Sequence, residues 1–191
     1  KSRLALSGPL TLAAIGPFER ALQGITTPIS AIDLAAVEEI DTVGAWVVCQ
    51  LAHAHASGVT HGGLKASNLL VDGAGHVSVT DFALPAPAPD ALPAMPQYLS
   101  PEQVQGLAPD ARSDEFSLGA LLFEMLAGRP PFGSPLTGTL ASVLENIAHV
   151  PTPTPSAIDP DVPAELDLLV MKALAKSPVD RFQTAAELAD A

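Results

Sequence analysis

Apolar residues fall first into short runs, then into helix-spaced stripes punctuated by glycine and proline. Residues 3–6 and 10–15 are apolar runs on either side of Ser7-Gly8-Pro9, which predicts a β-hairpin. Residues 33–40 and 42–57 are read as helices. In the second, Val43, Trp46, Val47, Leu51 and Ala54 share one face, and Gly58 stands where a helix ends. Leu69-Leu70-Val71 and Val77–Val79 flank Asp72-Gly73-Ala74-Gly75, whose turn chemistry predicts a second hairpin. Residues 116–126 are almost wholly apolar, so the expected helix is buried on all sides, and Gly128 ends it. An amphipathic helix is expected over 137–148. Thr152-Pro153-Thr154-Pro155 reads as an extended linker, because its prolines cannot join a helix. Helices over 163–175 and 183–190 close the chain.

Composition narrows the function classes. At 191 residues the chain can bury one sizeable core. A formal charge of −12 opposes binding to nucleic acid, whose phosphates would repel it. Its apolar runs are too short and interrupted to span a bilayer. The single cysteine, Cys49, lies in a helical apolar run and has no internal disulfide partner, so it reads as a core thiol. A reducing, cytoplasmic setting is the expectation. His53 and His55 are two apart on a helix and point to different sides, so they are read as packing or surface residues, not metal ligands.

The candidate chemistry begins at His61-Gly62-Gly63-Leu64-Lys65-Ala66-Ser67-Asn68. Asp81-Phe82-Ala83 follows thirteen residues after Asn68, and then come Tyr98-Leu99-Ser100-Pro101-Glu102 and Arg112-Ser113-Asp114-Glu115-Phe116-Ser117-Leu118-Gly119. A last block runs from Lys172 to Phe182. In order and spacing these five blocks resemble the bacterial serine/threonine protein kinase family: its H-R-D-L-K-x-x-N loop, its D-F-G triplet, the end of its activation segment and its later helices. The resemblance covers the whole chain. It implies a mainly α fold, a kinase-like C-terminal lobe with short β-hairpins, and a small lobe largely absent from this chain. Residues 1–18 would be a remnant of small-lobe strands and hinge, 19–191 the large lobe, and 81–102 the activation-segment equivalent. No G-x-G-x-x-G occurs, and none of the four lysines (1, 65, 172 and 176) fits the family's third-strand position.

The resemblance also assigns roles. His61 and Phe82 would stack beneath the site, and Asp114 would accept hydrogen bonds from the loop backbone. Glu102 and Arg181 would form a partly buried ion pair. Lys65, Asn68 and Asp81 are the residues that could hold a nucleotide, Asn68 and Asp81 through Mg²⁺. The departures concern transfer itself. Gly63 takes the place of the general-base Asp, Gly62 that of the loop Arg, and Met95 that of a bridging threonine. No Ser or Thr lies between Asp81 and Tyr98.

From these departures the sequence reads as a catalytically inactive, pseudokinase-type domain that binds no cofactor. It would act as a protein-binding scaffold or an allosteric regulator in bacterial signalling. The alternatives are a Mg-ATP-binding sensor and a weak serine/threonine kinase. Residues 83–97 carry five prolines and read either as a docking strip for a protein partner or as a surface loop.

Overall fold

The computed structural model describes residues 2–10, 29–40, 43–71, 77–82 and 95–189. Two strands lead, β1 (Ser2–Leu10) and β2 (Ile29–Ile40), paired in parallel with Ser2 opposite Ile29 and Leu10 opposite Ile40. This corrects two expectations. Ser7-Gly8-Pro9 is not a turn but part of β1, beside register shifts at Ala5/Ser7 and Gly8/Pro9. Proline is tolerated there because β1 is an edge strand with irregular pairing. Residues 33–40 form a strand, not a helix: pairing with β1 overrides the local helix preference of their Ala and Glu residues. Residues 11–28 lie outside the described residues, and with them the second half of the expected hairpin and the boundary drawn at residue 18.

Helices are the chief regular elements of the remaining described chain. Helix α1 (Val43–Ala56) ends at Gly58, whose φ of 73° is the left-handed geometry a glycine adopts without strain. Strands β3 (Leu69–Val71) and β4 (Val77–Val79) form the predicted antiparallel hairpin, with Leu69 opposite Val79. Gln50 of α1 brackets β4: its Nε2 donates to the Val77 carbonyl and its Oε1 accepts from Val79 N, both at 3.0 Å. A short helix α2 (Pro101–Val104) precedes α3 (Ala111–Ala127), which Asp110 caps by accepting from Arg112 N at 2.8 Å. Gly128 ends α3 at φ 69°.

Helix α3 is the core. Phe116, Leu118, Ala120 and Phe123 are at most 1% exposed, but Met125 is 51% exposed, so the burial expected on all sides stops one turn before the C-terminus. α4 (Leu140–His149) packs against α2, α5 (Ala164–Ala173) against α3 and α6 (Ala185–Ala189) against α1. Gly119 permits the closest approach: a Cβ there would lie 2.8 Å from the Cβ of Ala173 on α5. Lys176 ties the far end together, its Nζ donating to the Asn146 and Ile147 carbonyls that end α4 and lying 4.0 Å from the Phe132 ring centre. Among the described residues no helix is long and apolar enough to cross a membrane.

Candidate active site

The β3–β4 hairpin sets the geometry of the site. Asn68 closes the turn before β3 and Asp81 follows β4, so antiparallel pairing brings together two residues thirteen positions apart. Asn68 Nδ2 donates to Asp81 Oδ2 at 2.6 Å. Asp81 has φ 64°, the sole non-glycine residue at positive φ among the described residues. Strain of that kind, of order 1–3 kcal/mol, is held in place by surrounding structure and gathers at functional positions. Asn68 Oδ1 is buried and lacks a hydrogen-bond partner, and the Asp81 carboxylate beside it is exposed.

The loop before Asn68 is clamped from beneath. Asp114, 1% exposed, accepts from His61 N (2.7 Å) and Gly62 N (2.8 Å). His55 of α1 adds a third contact, its Nε2 lying 2.9 Å from Asp114 Oδ2. His61 is buried, with Nε2 3.0 Å from the Thr80 carbonyl and its ring 4.8 Å from that of Phe82. Leu64 is 1% exposed and anchors the loop's middle. Gly62 has φ 73°, and its carbonyl accepts from Gln103 Nε2 at 2.8 Å. Gly63 is exposed, and a Cβ built on it would meet nothing within 4 Å. Lys65 is half-buried on the same loop.

The segment that follows the site is pinned by Arg181. Its Nε donates to Ala175 O, Nη1 to Glu102 Oε1 and Arg112 O, and Nη2 to Glu102 Oε2 and Lys176 O, at 2.7–3.0 Å. All five guanidinium donors are thereby used. Burial alone would push the Glu102 carboxyl up, but hydrogen bonds from Arg181 and Ser113 prevail and hold it at about 2. Tyr98 donates to Glu124 Oε2 at 2.6 Å, and burial, then that carboxylate, push its phenol well above the usual range.

The structure therefore gathers Gly62, Gly63, Lys65, Asn68 and Asp81 along one loop and hairpin, with His61, Phe82 and Asp114 beneath. Glu102 and Arg181 meet one another to one side. Sequence reasoning missed three contributors. Gln103 lies outside all five matching blocks, and its reach to Gly62 O is a long-range contact that spacing does not reveal. His55 was read as packing or surface, though it reaches Asp114. Glu115 carried a signal that passed unused: a carboxylate directly beside Asp114, at the edge of an apolar run. Residues 83–94 of the proline-rich segment, including Ala83 and any docking strip there, lie outside the described residues, as does His76.

An Asn–Asp pair suits Mg²⁺, which takes one or two protein oxygens and completes its shell from water and phosphate. Asn68 Oδ1, buried without a partner, is the atom such an ion would use, and Asp81 Oδ1 and Oδ2 are beside it. Among the described residues no group of three or more His, Cys, Asp or Glu side chains forms a metal cluster.

Comparison with known proteins places this geometry. The protein kinase domain family matches residues 18–190. A probable serine/threonine-protein kinase of Corynebacterium efficiens is 37% identical, over 74% of this chain and 23% of that protein. The serine/threonine-protein kinase PknB of Mycobacterium tuberculosis is 38% identical, over 87% of this chain and 26% of its own length. PknB of Mycolicibacterium smegmatis is 41% identical, over 73% and 24%. The chain thus spans about a quarter of the length of the curated relatives it matches. The expectation that the chain is no enzyme is overturned by these names and this family match, which point to an enzyme. That expectation gave the missing base at Gly63 the deciding weight. Phosphoryl transfer rests chiefly on positioning and charge stabilisation, and the base is a smaller share.

Proposed function

The chain belongs to the protein kinase family, and from that premise we propose that it is the large lobe of a Mg-ATP-dependent serine/threonine protein kinase whose transfer step runs without a carboxylate base at residue 63. The observation that carries the reading is the Asn68–Asp81 pair. A strained aspartate, a partnerless buried amide oxygen and an exposed carboxylate converge on one point. A decayed scaffold has no need to hold Asp81 at positive φ, since that conformation costs stability.

In this reading Asn68 and Asp81 hold the metal, and Lys65 faces the transferred phosphoryl group. The metal, when bound, neutralises charge developing on the phosphate oxygens. Asp114 holds the loop backbone in place through His61 N and Gly62 N, so that Lys65 and Asn68 keep their relative positions. The transition state of phosphoryl transfer is loose, so the attacking hydroxyl need not lose its proton early. Loss of a general base then slows turnover by about 10²–10⁴ without abolishing it.

The test is phosphate transfer from radiolabelled ATP to a serine- or threonine-containing protein, with Mg²⁺ and with Mg²⁺ removed by chelation. Slow, metal-dependent incorporation that Asp81→Ala abolishes supports the reading. Incorporation unchanged by Asp81→Ala would refute it.

A further inference from the structure

Three buried atoms of this fold lack the same thing. His55 Nδ1, Glu115 Oε1 and Glu115 Oε2 are each without a hydrogen-bond partner, and His55 Nδ1 lies 3.9 Å from Glu115 Oε1. Glu115 is 0% exposed. A buried carboxylate with no cation and no donor is among the costliest groups a fold can hold, and it is normally neutralised by a proton. The groups facing it are His55 from α1, Asp114 from its own helix and Glu187 from α6, two of them acidic. Among the described residues no Lys or Arg nitrogen lies within ion-pair distance of it. His55 already presents Nε2 to Asp114 Oδ2 at 2.9 Å. With Nε2 as the donor, Nδ1 is left as an acceptor that faces Glu115, and at 3.9 Å it gives the carboxyl no hydrogen bond.

We propose that Glu115 is a proton-holding positioning residue, which in its neutral form adds no second charge beside His55 and Asp114 and so leaves undisturbed the grip of Asp114 on the loop carrying Gly62 and Gly63. Loss of the Glu115 proton places a second negative charge beside Asp114 in a dry interior. His55 is then shared between two anions, and the grip of Asp114 on His61 N and Gly62 N slackens. Catalytic-loop order is therefore coupled to pH through a group that touches neither nucleotide nor substrate. Burial first, then the charges of Asp114 and Glu187, push the Glu115 carboxyl from 4.5 to about 8. The sign follows. The folded chain holds a proton that the unfolded chain releases, so this group's contribution is complete below about pH 4.5 and fades as pH rises to about 8.

The inference deepens the kinase reading and rests on it for its consequence, but its test needs no turnover. Carbon-13 NMR of the Glu115 side-chain carboxyl in the unaltered chain should find it neutral at about pH 6 and ionising near 8. An ionised carboxyl at about pH 6 would overturn the proposal outright. Amide exchange at His61 and Gly62 supplies the positioning arm. Beyond the intrinsic base catalysis common to both proteins, wild type should lose roughly tenfold protection between about pH 6 and 9, one pKa unit's equivalent. Glu115→Gln, which has the same shape but cannot ionise, should lose none. Parallel profiles in the two proteins would reject the coupling even if Glu115 titrates high. Absence of kinase activity alters neither measurement and would count against the functional reading alone.

Discussion

Arg181 and Glu102, seventy-nine residues apart in sequence, meet through two parallel hydrogen bonds of 2.8 Å, with the guanidinium wholly shut off from solvent. The pair joins the end of the segment that follows the site to the last helices. Since three backbone carbonyls also accept from Arg181, its removal strands four acceptors, including a buried carboxylate. Breaking such a pair from one side costs about 3–5 kcal/mol. For a chain this size that is roughly 6–20 °C in melting temperature. Arg181→Ala should therefore melt far below wild type by circular dichroism. A shift under a degree would mean the pair contributes nothing in solution.

The same pair predicts acid sensitivity. Glu102 is held at about 2 in the folded chain against 4.5 unperturbed, so its stabilisation is present above pH 4.5 and fades as pH falls toward 2. Glu102→Gln removes this contribution. Its melting temperature should be lower than wild type at neutral pH, and the two should converge near pH 2. A gap as wide at that pH as at pH 7 would show that Glu102 does not ionise as the geometry requires.

Much of the site was legible because local rules fix it. Turn chemistry between Val71 and Val77 fixed the hairpin, and the hairpin alone brings Asn68 against Asp81. The role of Asp114 was readable only through the resemblance to the kinase family's loop and helix motifs. What escaped depends on distance. Residues 33–40 have helix-forming composition, and only the partner strand 2–10 makes them extended. Gln103 reaches the Gly62 carbonyl across 41 residues and His55 reaches Asp114 across 59, and no spacing rule spans such gaps. The inactive reading failed for a different reason: one missing side chain was taken to decide a rate that several groups share.

Gly119 tests how tightly the core is drawn. A methyl group there would lie 2.8 Å from Ala173 Cβ and 3.3 Å from the Leu174 side chain. Helix propensity alone favours alanine over glycine by about 1 kcal/mol. Overpacking costs about 1–3 kcal/mol and works against it. The obstruction is a Cβ fixed to a helix backbone, which cannot swing aside, so the steric cost should win. Gly119→Ala is expected to lower the denaturant midpoint, with an unchanged slope. A stabilised variant would show that α3 and α5 separate more readily than their contact implies.

Gly62 and Gly63 are neighbours with opposite tolerance for a side chain. Gly63 has no unusual φ and open space around its Cβ position, whereas Gly62 sits at φ 73°. Gly63→Asp should therefore leave stability nearly unchanged, while Gly62→Arg should cost roughly 1–2 kcal/mol from the left-handed backbone alone. Function separates them further. An aspartate at residue 63 is placed to accept the substrate proton, a gain of about 10²–10⁴ where the base is fully supported. Here the support is partial, because Met95 has no hydroxyl to bridge the new carboxylate and Lys65. Turnover in Gly63→Asp should rise at least tenfold, roughly 1.4 kcal/mol off the barrier, yet fall short of the upper range. Radiolabel incorporation at saturating Mg-ATP is the measurement. Unchanged turnover in a variant that melts like wild type would mean that the acceptor hydroxyl never comes near residue 63.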